Sequence, residues 1–140
     1  MERIVYLERE SIIADVRRPA CDHAWSEYAR TSQAEVEARL ADATIAIVNK
    51  LILDAETIAR LPMLKMIAVA ATGTNNVDLD ACRARGVEVI PATGANALAV
   101  AEYVIGTAMV LLRGCYSSSA EVAAGGWPRA RLSAGREIAG

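Results

Sequence analysis

The residues best placed to do chemistry sit at the ends of two apolar runs. The run from Ile67 breaks at Ala71-Thr72-Gly73-Thr74, and the chain restarts at Asp78 as a predicted helix. A short run that is apolar on both faces reads as a central strand of a parallel sheet. The turn at its carboxyl end is where open α/β sheets collect ligands. Gly73 would let the backbone turn sharply and leave the Thr72 and Gly73 amides facing outward, toward an anion. A plain tight turn fits Gly73 equally well. The second place is Asn49-Lys50, two polar residues directly after Thr44–Val48, which also suit an ordinary solvated loop. His23 is the only histidine. Without Ser, Cys or Asp partners at a recognisable spacing it reads as structural. No residue qualifies as catalytic by spacing, and the cysteines are not spaced as a metal site.

The elements that position these residues alternate at short intervals. Arg3–Leu7 is a first strand, and Ser11–Val16 begins a helix that Pro19 limits. Cys21–Arg30 is ragged, with Trp25 and Tyr28 suggesting a strand. Ser32 and Glu35 have capping-box spacing, so a helix runs to Ala41 with Val36 and Leu40 on one face. Thr44–Val48 is a β-branched strand. Asp54 caps a helix Ala55–Leu61, with Ile58 and Leu61 inward and Pro62 closing it. Asp78 caps another through Arg85, stopped by Gly86, and Val87–Ile90 is the next strand. Strand, helix and strand in this order predict a parallel sheet covered by helices.

Composition excludes other classes of partner. The chain has 140 residues, enough for one core, and a net charge of −2. That charge offers no attraction to nucleic acid or an anionic membrane. Three cysteines and no cationic apolar leader suit reduced thiols in the cytoplasm. Ala95–Arg113 is long and almost wholly apolar, yet shorter than a bilayer span and interrupted by Glu102. It reads as a buried helix needing cover on several sides, and the chain has little left to supply it. Ala120–Gly140 is small and Gly-rich, with Trp127-Pro128 as its one large anchor, and is expected to wrap over another surface.

Leu64–Leu79, then Ala84–Val89, then Asn96 and Val100-Ala-Glu102, resemble the D-isomer-specific 2-hydroxyacid dehydrogenases. The likeness runs from Thr44 to Gly140. Its early part looks most like the glycerate and hydroxypyruvate branch, and Pro91–Asn96 through Gly140 more like the sulfolactate branch. The resemblance implies a flavodoxin-like α/β domain over residues 1–94. Its five-stranded parallel sheet would carry helices on both faces. Residues 95–140 would be a long crossing helix and an extended tail leading toward a dinucleotide-binding domain. It also implies that the Thr72 and Gly73 amides hold a substrate carboxylate, that Asn49 and Lys50 line the same pocket, and that Asn96 and Val100 face the nicotinamide. A helix start and a core valine are the plain alternatives for those last two. The parent enzyme would use NAD or NADP and act on a small 2-hydroxy or 2-oxo acid; apart from the resemblance, exposed apolar surface on Ala95–Arg113 would favour self-association into a homodimer. The family's Gly-x-Gly-x-x-Gly loop and its Arg, Glu and His have no counterpart in this sequence, and Glu102 belongs to the helix. This chain alone is therefore expected to bind no cofactor and to have no turnover.

Two other classes remain. A receiver-type signalling domain needs an aspartate ending the third strand, where Asn49 stands, and Glu8-Arg9-Glu10 is a poor substitute for the acidic pair. A free-standing anion-binding or interaction module would bury Ala95–Arg113 in a partner.

Overall fold

Five parallel strands form one sheet in the order β2-β1-β3-β4-β5 in the computed structural model, which describes residues 1–127 and 136–138. The strands are β1 (Glu2–Tyr6), β2 (His23–Glu27), β3 (Ile45–Val48), β4 (Met66–Val69) and β5 (Glu88–Pro91). The helices between them are α1 (Val36–Leu40), α2 (Ala55–Ala59) and α3 (Leu79–Arg85). By Cα proximity residues 1–93 form one compact unit and residues 94–140 a second.

Register explains the core. Val5 pairs with Ala46 and Ala46 with Ile67, so these residues share a face. They pack in one cluster with Val36 and Leu40 of α1, Ile58 of α2 and Cys82 of α3. These three helices therefore cover one face of the sheet. Ile4 and Tyr6, in alternate register, are buried outside that cluster. Strand periodicity of two forces this division.

Helix starts follow the caps read from sequence. Asp54 Oδ1 accepts from the Thr57 N–H at 2.8 Å, and Asp78 Oδ1 from the Ala81 N–H at 2.9 Å. The Ser32/Glu35 capping box forms around a short 3-10 turn, Gln33–Glu35, that leads into α1. Gly86 ends α3 with φ +69°, a left-handed conformation that glycine adopts without cost.

Three expectations are corrected. No helix forms at Ser11–Val16: a 3-10 turn at Arg9–Ser11 gives way to irregular backbone. The Arg9 guanidinium donates to the carbonyls of Ile12 and Ala14, both at 2.8 Å, taking acceptors that a helix would have used. Within residues 1–93 the second face of the sheet thus gains no helix from the β1–β2 connection. The long apolar segment forms α4 (Ala97–Leu112), but none of its residues is buried. Leu98 and Tyr103 are each 74% exposed. An apolar stripe on every side cannot be covered by a short following segment. That segment is not all extended: Gly114, at φ +63°, starts a further helix, α5 (Cys115–Ala123). Pro128 and much of the expected tail lie outside the described residues.

Candidate functional site

Each strand of a parallel sheet ends in a loop on the same edge, so the loops after β3 and β4, neighbours in the sheet, lie side by side. A cleft of about 320 Å³ opens between them, lined by Asn49, Lys50, Ala71, Thr72, Gly73, Asn75 and Asn76. Four of the six residues singled out from the sequence, Asn49, Lys50, Thr72 and Gly73, line this one cleft. The other two, Asn96 and Val100, belong to the second unit. Asn96 precedes α4 without a side-chain cap, its carbonyl accepting from the Val100 N–H at 2.9 Å, and Val100 is exposed.

The donors in the cleft are free. Among the described residues, no protein acceptor takes the N–H of Thr72 or Gly73, and the Lys50 ammonium has no carboxylate partner. Thr72, Gly73 and Lys50 are exposed, and Asn49 is half-buried. Two amides at a strand end, an amide side chain and one cation make a donor set for a small carboxylate. Gly73 works differently from the expectation. Its φ is not positive, so the turn does not require glycine for its backbone angle. Instead, a Cβ there would come 3.3 Å from Asn75 Oδ1, so glycine keeps the wall of the cleft thin.

Two residues that support the cleft were missed. Glu8, just after β1, sends its carboxylate to the loop after β3. Its Oε2 accepts from the N–H groups of Asn49 (2.7 Å), Lys50 (2.9 Å) and Leu51 (3.3 Å). Asn76 Nδ2 donates to the carbonyl of Leu51 at 2.9 Å and of Asn49 at 3.4 Å. The Leu53 N–H donates to the Asn76 carbonyl at 2.8 Å, and Leu53 and Val77 form a parallel bridge. The signal for Glu8 was a charged residue set directly after a buried strand, the same signal that marked Asn49-Lys50. Asn76 carried none that separates it from Asn75.

His23 takes a structural place at the start of β2, with Nδ1 2.7 Å from the Cys21 carbonyl and its ring edge-on to Trp25. Among the described residues no group of three His, Cys, Asp or Glu could hold a metal, and no helix is long and apolar enough to cross a membrane. The acidic site of a receiver domain is not built here, because the Glu8 carboxylate is engaged by backbone amides.

The family model for the D-isomer specific 2-hydroxyacid dehydrogenase catalytic domain matches residues 7–127, and the chain belongs to that family. Among its relatives are a glycerate dehydrogenase of Methylorubrum extorquens and an (S)-sulfolactate dehydrogenase of Chromohalobacter salexigens. The first is 37% identical over 131 residues, covering 93% of this chain and 42% of that protein. The second is 44% identical over 84 residues, covering 60% of this chain and 27% of that protein. The chain thus spans less than half the length of these relatives. A solved acyclic imino acid reductase, in complex with NADPH and D-Arg, shares the fold with a TM-score of 0.76. It is 18% identical, over 97% of this chain and 45% of that one.

A dinucleotide pyrophosphate is held where a Gly-x-Gly-x-x-Gly turn leads from a strand into a helix N-terminus. Here no two glycines are separated by a single intervening residue, and no strand-to-helix connection among the described residues carries more than one. The described residues do not fit that group.

Proposed function

We propose that this chain is the substrate-binding portion of an oxidoreductase that moves a hydride between a nicotinamide cofactor, NAD or NADP, and a small D-2-hydroxy or 2-oxo acid. Residues 1–93 supply the acid's seat, and residues from Gly94 onward lead toward the dinucleotide-binding part. The observation that carries this reading is that Thr72 and Gly73, whose amides have no protein acceptor among the described residues, line the same cleft as Lys50, which has no carboxylate partner among them. The amides receive the carboxylate, and the Lys50 ammonium adds charge from the opposite loop. Asn49 offers a donor or acceptor for the neighbouring oxygen of the acid. Binding of this kind fixes the orientation of C2 but moves no proton, so residues 1–140 alone are inactive.

The test uses the protein made from the intact gene. Nicotinamide-dependent reduction of hydroxypyruvate, glyoxylate or sulfopyruvate is expected, with Lys50→Met raising KM roughly ten-fold and leaving kcat nearly unchanged. No reduction of any of the three would defeat the reading. The cysteines among the described residues are all free thiols, which supports a reducing, cytoplasmic setting.

A second reading, that the chain also serves as an interaction module, is favoured by α4, an apolar helix with no buried residue. A second copy covering α4 would make a homodimer. Sedimentation at high concentration tests this, and a clean monomer counts against it.

A further inference from the structure

In a parallel sheet whose strand order reverses between β1 and β3, the crevice outside their carboxyl ends is the usual ligand seat. In this chain a side chain from the end of β1 reaches across to the loop after β3 at that crevice. Glu8 leaves the end of β1, half-buried, and its Oε2 takes three consecutive N–H groups, those of Asn49, Lys50 and Leu51. Oε1 also lies 3.2 Å from the Lys50 nitrogen. Successive amides converging on one oxygen form the kind of nest that binds anions. The open cleft lies one strand further along, between β3 and β4.

The backbone of Asn49–Leu51 is held from both sides. The Glu8 carboxylate accepts from its N–H groups, and Asn76 Nδ2 donates to the carbonyls of Asn49 and Leu51. The side chains of Asn49 and Lys50 are left free at the wall of the cleft. A loop with its polar backbone satisfied by side chains from two other loops has few alternative conformations. Its exposed lysine is therefore presented from a fixed base, without the cost of ordering the loop when an anion arrives.

We infer that Glu8 is a positioning residue for the carboxylate site: an internal anion that ties the end of β1 to the loop after β3 and sets Asn49 and Lys50 against the cleft. This rests on the reading that the cleft receives a small carboxylate. It goes further in stating that affinity depends on a residue that does not line the cleft. Two effects of the Glu8 charge oppose one another. The carboxylate anchors the loop through charge-assisted bonds, and it also repels a second anion nearby. Three backbone N–H groups converge on Oε2 and neutralise much of its field, so the anchoring effect dominates.

The experiment titrates the 15N-labelled chain with glyoxylate and follows amide shifts, comparing wild type with Glu8→Gln and Glu8→Asp. Wild type is expected to respond at Thr72 and Gly73. Glu8→Gln should bind roughly ten-fold more weakly, with its own spectral changes centred on Asn49–Leu51 and the remaining signals in place. Glu8→Asp, which keeps the charge on a shorter arm, should recover part of the affinity, an order that a purely steric role would not produce. Equal or tighter binding by Glu8→Gln would overturn the role given to Glu8 while leaving the cleft intact. No response in wild type would overturn the cleft reading and this inference with it. Should Glu8→Gln not fold, Asn76→Ala removes the brace from the other side. A wild-type affinity in that variant would likewise overturn the proposal.

Discussion

Replacing Gly73 by alanine separates what the turn needs for folding from what it needs for binding. Gly73 does not sit at positive φ, so alanine can adopt its backbone conformation. Alanine at such a site stabilises a protein by about 0.4–1 kcal/mol through the unfolded chain. Against this stands one contact, 3.3 Å to Asn75 Oδ1, the end of an exposed side chain that can move aside. The two effects nearly cancel, so the melting temperature should change by less than about 4 °C, given that 1 kcal/mol shifts a domain of this size by roughly 4–8 °C. Binding should respond differently. The new methyl stands beside the Gly73 N–H at the cleft wall, and losing one hydrogen bond to a charged acceptor costs about 1.5–3 kcal/mol. Glyoxylate affinity should therefore fall ten-fold or more. Thermal melting by circular dichroism and calorimetric titration on the same sample read the two effects. A melting temperature lowered by more than about 10 °C would show that the turn requires glycine for its backbone after all. Unchanged affinity would show that the Gly73 amide does not receive the anion.

Other outcomes follow from local structure. Asp78→Ala removes the acceptor for the Ala81 N–H and should cost about 1 kcal/mol, read from urea midpoints, with Asp78→Asn recovering most of it. Glu35 is held below its ordinary value of 4.5 by its bonds with the Ser32 side chain and backbone, and Asp54 below 3.8 by the Thr57 N–H. Because both are lowered in the folded state, their stabilisation is complete above those ordinary values and is lost as pH falls through the lowered ones. Melting temperature should thus be flat from pH 7 to about 5 and drop below about 4, the acid drop being smaller in Ser32→Ala. Burial raises the Cys82 thiol, with Asp78 adding to the effect, whereas Cys21 and Cys115 are exposed. A thiol reagent should therefore modify two cysteines quickly and the third only on unfolding.

The elements that could be read from the sequence are those whose stability is local. Asp54 and Asp78 announce their helices because the capping bond spans three residues, and Gly86 ends α3 because only the immediate backbone decides its φ. Thr44–Val48 and the run from Ile67 read as central parallel strands because they are apolar on both sides, although within residues 1–93 only one face is fully buried and the alternate residues of β3 and β4 are half-buried. What failed lay outside cap and period rules. Ser11–Val16 has a helix-like start, yet the neighbouring Arg9 side chain draws its carbonyls into another arrangement. The exposure of α4 was half visible, since nothing in the chain could cover it. In the cleft, Thr72 and Gly73 were legible as a strand-end turn, while their meeting with Asn49 and Lys50 came from family resemblance. Glu8 carried the signal of a charge directly after a strand, but its partners could not be read, because its bonds span 41 to 43 residues and no spacing rule operates at that range.

The most direct test of the central claim is a titration of the wild-type chain with glyoxylate, observed through its backbone amides, beside the same titration of Lys50→Met. The account predicts saturable shifts led by Thr72 and Gly73, with affinity weakened in Lys50→Met and the salt dependence reduced. Shifts that fail to saturate, or that spread over the surface without favouring Thr72 and Gly73, would contradict it.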